Sequence, residues 1–78
     1  MDDLPWRLAY SERNDQVIIS TVEVPFLPLW GEFETAISVD NQSWKIYKAY
    51  STAEDALDGH TYFSKLSKDE IIKLEPLD

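Results

Sequence analysis

The chain reads as an α+β domain in which an antiparallel sheet of about four strands, built from two hairpins, carries one main helix on one face. Three observations predict this. Four segments before residue 51 alternate apolar and polar residues or are rich in β-branched ones; polar turn residues separate the members of each pair; and the only long helical pattern follows the last strand. At 78 residues the chain is expected to be one domain, 1–78, that buries only about 60% of the surface its unfolded form exposes. Three Trp, four Tyr and three Phe supply large apolar area for so thin a core, and a 44% hydrophobic composition argues against disorder.

The first strand starts after Pro5, where Trp6, Leu8 and Tyr10 alternate with Arg7, Ala9 and Ser11. Glu12-Arg13-Asn14-Asp15 is a polar turn, and the run Gln16 to Val24, with Val17, Ile18, Ile19, Val22 and Val24, suits a pleated surface. These two strands form the first hairpin. Pro25 and Pro28 keep the apolar segment 25–30 out of both helix interior and central strand. A third strand spans Glu32 to Val39, with Phe33, Thr35, Ile37 and Val39 opposite Glu32, Glu34, Ala36 and Ser38. Asp40-Asn41-Gln42-Ser43 turns the chain into a fourth, where Trp44, Ile46, Lys48 and Tyr50 oppose Lys45, Tyr47 and Ala49.

Ser51 and Glu54 have the spacing of a reciprocal capping box, and Glu54, Asp55 and Asp58 stand where a helix dipole favours anions. The helix is therefore expected from about Thr52 to Leu66 or Ser67, with Lys65 and Lys68 near its end. Ala53, Ala56, Leu57, His60, Phe63 and Leu66 share the face that should meet the sheet. Gly59 interrupts it at a cost of about 1 kcal/mol relative to alanine, which close approach of another backbone or ring would explain. Residues 69–78 fit either a short helical turn or an added edge strand.

Phe33-Glu34-Thr35 followed by Tyr50-Ser51-Thr52-Ala53-Glu54-Asp55-Ala56-Leu57-Asp58-Gly59-His60 resembles a group of small phage and prophage proteins. These share a strand with an E-T pair and a helix opening of the type Y-x-T-x-E-E-A-x-x-G-H. The match runs from about Phe33 to Phe63, and Ala36 stands where that group carries a methionine. The resemblance implies a phage or prophage origin, and it transfers no activity, cofactor or catalytic residue.

Fifteen acidic residues against seven Lys plus Arg give a net charge of −8, which disfavours direct binding to nucleic acid or anionic membranes. With no cysteine there is neither a disulfide framework nor a thiolate metal site, in keeping with a reducing cytoplasm. No apolar run is long enough to span a membrane, and Met1-Asp2-Asp3-Leu4-Pro5 lacks the features of a secretion signal. The expected location is the cytoplasm, that of the host for a phage-encoded protein, with virion association as an alternative.

His60, the only histidine, has no second His or Cys for a metal set and is read as a structural imidazole hydrogen-bonded beneath the helix. A general-base role would instead require it exposed in a cleft. No serine stands in an activated context, and Gly31 and Gly59 are too far apart for a phosphate loop. Glu32 and Glu34 share one side of a strand and read as a solvated rim. No catalysis, cofactor, metal or small-molecule ligand is predicted.

The partner-contact candidates are Phe26, Leu27, Leu29, Trp30, Glu32 and Glu34: the apolar ones either cover the sheet or meet a partner, and Tyr47 on the outer sheet face is a further candidate. The leading expectation is a non-catalytic protein acting through protein contacts or self-association. The alternative is an acidic inhibitor of a host nucleic-acid-binding protein, with the carboxylates of residues 2–40 standing in for phosphates.

Overall fold

In the computed structural model, which describes residues 7–24 and 31–77, four strands form one antiparallel sheet in the order β1-β2-β3-β4. The strands are β1 (Arg7–Glu12), β2 (Val17–Glu23), β3 (Phe33–Val39) and β4 (Lys45–Tyr50). Helix α1 (Ala53–Ser64) crosses one face, and a second, short helix α2 (Lys68–Ile72) follows. The α+β arrangement read from the sequence is the one observed.

Both hairpins turn through left-handed backbone. Asp40 and Asn41 have φ of 55° and 62°, and Gln42 N–H donates to Val39 C=O at 3.0 Å. Two consecutive positive φ angles favour a tight turn that matches strand twist, and Asp and Asn tolerate them better than most side chains. In the first hairpin Gln16 takes the left-handed position, at φ 70°.

Two bulges alter the facing deduced from strict alternation. Arg7 and Ala9 are paired with Val22 and Thr21, so Leu8 is the extra residue in β1. Ala9 and Ser11 consequently share the side of Thr21, while Tyr10 is exposed on the other side beneath the Arg7 guanidinium, 4.3 Å from the ring centroid. In β4, Lys48 is paired with Thr35 and Ile46 with Ala36, leaving Tyr47 as the extra residue. Tyr47 thereby reaches the helix side and meets Phe63 edge-on, with centroids 6.4 Å apart. Its expected place on the outer face is therefore corrected: it packs against the core.

The helix-facing side of the sheet is divided along the strands. Val17, Ile19 and Ile37 gather with Phe63 and Ile71 into the apolar cluster, and Val39, Tyr47, Leu66 and Leu74 pack against it. Toward the other end, Thr21 and Thr35 replace the aliphatic residues. On α1 the buried residues are Ala56, His60 and Phe63, whereas Ala53 and Leu57, expected on the same face, are exposed. Among the described residues α1 packs mainly against the sheet, which accounts for the narrower stripe.

The helix ends also differ from expectation. Thr52, not Ser51, is the N-cap of α1, its hydroxyl accepting from Asp55 N–H at 3.1 Å. At the other end Arg13 reaches from the first hairpin and donates through Nη1 to Leu66 C=O at 2.8 Å and Ser64 C=O at 3.4 Å. A cation at a helix C-terminus satisfies carbonyls that lack intrahelical partners. The same guanidinium holds Asp15, Nη2 to Oδ2 at 2.5 Å, and keeps that carboxyl below its ordinary pKa. Lys68 pairs with Asp40 at 2.6 Å.

Of the two expectations for the C-terminal segment the helical turn is the one observed, and no described residue beyond it forms an added edge strand. The capping box formed by Ser67 and Glu70 starts α2, which sends Ile71 into the core. Beyond it Leu77 N–H donates to Ile46 C=O at 2.7 Å, on the outer edge of β4.

Gly59 faces the Tyr50 ring, and a Cβ there would overlap the phenol. The missing side chain is what lets that hydroxyl pass beneath α1. Gly59→Ala, normally worth about 1 kcal/mol to an exposed helix, should here destabilise by about 2 kcal/mol because a rigid buried ring must move. Urea denaturation measures this, and a gain in stability would contradict the packing described.

Candidate functional site

Five side chains, one from each strand and one from α1, form a continuous hydrogen-bonded chain. Ser11 Oγ lies 2.9 Å from His60 Nε2, and Thr21 Oγ1 lies 2.8 Å from His60 Nδ1. Thr21 Oγ1 is 2.7 Å from Thr35 Oγ1, which is 3.0 Å from the Tyr50 hydroxyl. The register builds it. Thr21 and Thr35 are directly paired across β2 and β3, Ser11 stands two positions from the Ala9 opposite Thr21, and Tyr50 stands two from the Lys48 opposite Thr35. Cross-strand neighbours on one face are close enough for hydroxyls to bond directly. His60 then descends from the helix between Ser11 and Thr21. Only 7% of the residue is exposed, as expected for a structural imidazole and unlike the open ring that a general base requires.

Counting protons gives the chain a direction. A neutral imidazole has one N–H donor and one acceptor nitrogen, and a phenol donates more readily than an alcohol. The arrangement that uses every donor runs from Tyr50 to Thr35 to Thr21 to His60 Nδ1, with Nε2–H donating to Ser11. Protonating Nδ1 makes it a donor to Thr21 and leaves one hydroxyl proton of the chain without its acceptor. Burial itself pushes the imidazole pKa below its ordinary 6.5 and the phenol pKa above 10. Both groups are thus held neutral near pH 7, and no carboxylate takes part in the chain.

The remaining candidates are not brought together with this network. Phe26, Leu27, Leu29 and Trp30 lie outside the described residues. Glu32 is exposed just before β3, and Glu34 is half-buried within it, opposite Val22 and Ala49. Among the described acids of residues 2–40, Glu12, Asp15 and Asp40 stand near the two hairpin turns, while Glu23, Glu32 and Glu34 stand at or toward the opposite end of the sheet. They form no single phosphate-like surface. Among the described residues no three His, Asp or Glu side chains converge as metal ligands would. No described helix is long and apolar enough to cross a membrane.

Sequence reasoning missed Ser11 and Thr21 as the partners of His60, and Thr35 and Tyr50 as the continuation of the chain. The available signal was a threonine interrupting the buried side of each of two strands, together with a glycine beside the lone histidine. Compared with known proteins, the chain matches no family model, and no curated protein or solved structure matches it significantly.

Two outcomes follow from the network. Thr21→Val keeps the volume but orphans both His60 Nδ1 and the Thr35 hydroxyl proton, so stability should fall by about 3 kcal/mol. Thr35→Val should add clearly less when combined with it than alone, because both break one chain. A double-mutant cycle from urea unfolding reads this, and full additivity would contradict it. The second outcome concerns pH. The unfolded ring takes up its proton near 6.5 while the folded one does so lower, so the unfolded state binds more protons in that window. Stability should therefore be complete above about pH 6.5 and decline as the pH falls below it, and His60→Gln should flatten that part of the profile.

Proposed function

We propose that this chain is a small, non-catalytic phage or prophage protein that works through protein contacts. The observation that carries the reading is the surface. Trp44, Leu57, Tyr62, Ile72 and Leu77 are each 45–58% exposed, while few large apolar side chains are buried among the described residues. Single exposed apolar residues are ordinary, but five on so small a surface favour association. Ile72 also borders a groove of about 380 Å³ formed with Val39, Tyr47, Leu74 and Pro76.

The chemistry of the interior supports the same reading. Its imidazole, phenol and two threonine hydroxyls are committed to one another beneath α1. The phage or prophage origin rests on the Glu34-Thr35 pair and the Tyr50 to His60 helix opening. The division of the acids of residues 12–40 between two ends of the sheet weighs against a phosphate-mimicking surface built from them.

Sedimentation velocity across a wide concentration range, with affinity capture from infected or lysogenic cells, tests the proposal. Self-association or one reproducible partner is expected. A strict monomer with no specific partner would overturn it.

A further inference from the structure

The edge strand β4 and the flank of α1 enclose an open groove of about 720 Å³. Tyr50, Gly59 and Phe63 contribute to its lining, and Lys48 stands on the strand side. The helix side carries Asp55, Asp58 and Tyr62, spaced three and four residues apart and therefore on one flank of α1. Neither aspartate has an ion-pair partner among the described residues. Tyr62 is 58% exposed, yet its ring is braced edge-on against buried Phe63, with centroids 5.4 Å apart. A fixed, exposed phenol beside two carboxylates is a receptor for a cation, because the aromatic face and the negative charges act on the same guest.

The wider charge distribution points the same way. Glu23, Glu32, Glu34, Glu54, Asp55 and Asp58 lie at or toward the end of the fold where α1 begins. Among the described residues the cations toward that same end are Arg7, opposite Val22, and Lys48, two against six acids, whereas Arg13, Lys65, Lys68 and Lys73 belong to the first hairpin turn and the region beyond α1, and Lys45 opens β4 at the far end of the sheet. The field at the groove therefore attracts positive charge. The backbone sets the guest's shape. Among the described residues no strand lies outside β4, and the chain's own Leu77 N–H already donates to that edge at Ile46. Lys48 to Ser51 gives roughly 13 Å of backbone for an extended peptide to follow.

We propose that this groove binds an extended, basic segment of a partner protein, laid along β4 with a Lys or Arg side chain between the two aspartates and the Tyr62 ring. It rests on the protein-contact reading and names the surface and the chemistry of the partner. Strand addition to an exposed edge, with side-chain pockets giving specificity, is an established recognition mode.

The test is titration of ¹⁵N-labelled protein with a short peptide alternating lysine and valine, beside a glutamate-for-lysine peptide and spermine. Saturable shifts confined to Lys48–Ser51 and the Asp55–Tyr62 flank are expected with the lysine peptide alone. Affinity should weaken at least about tenfold in Asp55→Asn/Asp58→Asn and in Tyr62→Ala. These residues are exposed, so an unchanged amide spectrum elsewhere verifies folding. No binding at about 2 mM peptide, shifts spread over all acidic surfaces, or equal shifts with spermine would overturn the groove assignment. Retention of a captured partner by both variants would also overturn it while leaving the protein-contact reading standing.

Discussion

A helix laid on one face of a sheet must satisfy every polar group it buries, and here one imidazole bonds hydroxyls of β1 and β2 directly and, through Thr21, joins a chain that reaches β3 and β4. The chain from Ser11 through His60, Thr21 and Thr35 to Tyr50 is the constraint on which the rest of the structure depends. A neutral hydrogen bond contributes only about 1 kcal/mol net, but breaking one inside the fold leaves a desolvated group costing about 1–3 kcal/mol. The network is therefore worth less as a source of stability than as a penalty on every arrangement that fails to complete it.

That penalty fixes register. Slipping β2 against β3 by one residue would turn Ser20 or Val22 toward α1 in place of Thr21 and expose the apolar set to the wrong face. The apolar cluster of Val17, Ile19, Ile37, Phe63 and Ile71 tolerates small shifts because hydrophobic contact is not directional. The hydroxyls do not. The two halves of the interface thus divide the work: burial at the hairpin end drives collapse, and the polar half selects one alignment. Gly59 belongs to the second half, since only a bare Cα leaves the Tyr50 phenol its path to Thr35.

Much of this was legible in the sequence because its signals are local. Period-2 alternation located the strands, polar turns located both hairpins, and Gly59-His60 on a capped helix pointed to a buried imidazole and a close neighbour. The rest depended on residues distant in the chain. The bulges at Leu8 and Tyr47 arise from pairing with β2 and β3, which alternation within one strand cannot register. The cap on α1 moved by one residue because Ser51 and Thr52 are both competent, and backbone geometry chose Thr52. Arg13 closes α1 from 51 positions away. The groove was hidden in the same way: Asp55 and Asp58 read as ordinary dipole partners until β4 supplied the opposite wall.

The same division bears on function. Titratable and hydroxyl groups of the helix–sheet interface are occupied with one another, and the proposed recognition therefore draws on exposed rings, carboxylates and strand edge. The most direct test of the central claim is the protonation and tautomeric state of His60, read from the ¹⁵N shifts and long-range ¹H–¹⁵N couplings of its ring at about pH 7.5. The account requires a neutral ring with its proton on Nε2 and a slowly exchanging Thr21 hydroxyl proton. A charged ring, a proton on Nδ1, or rapid tautomer averaging would contradict it.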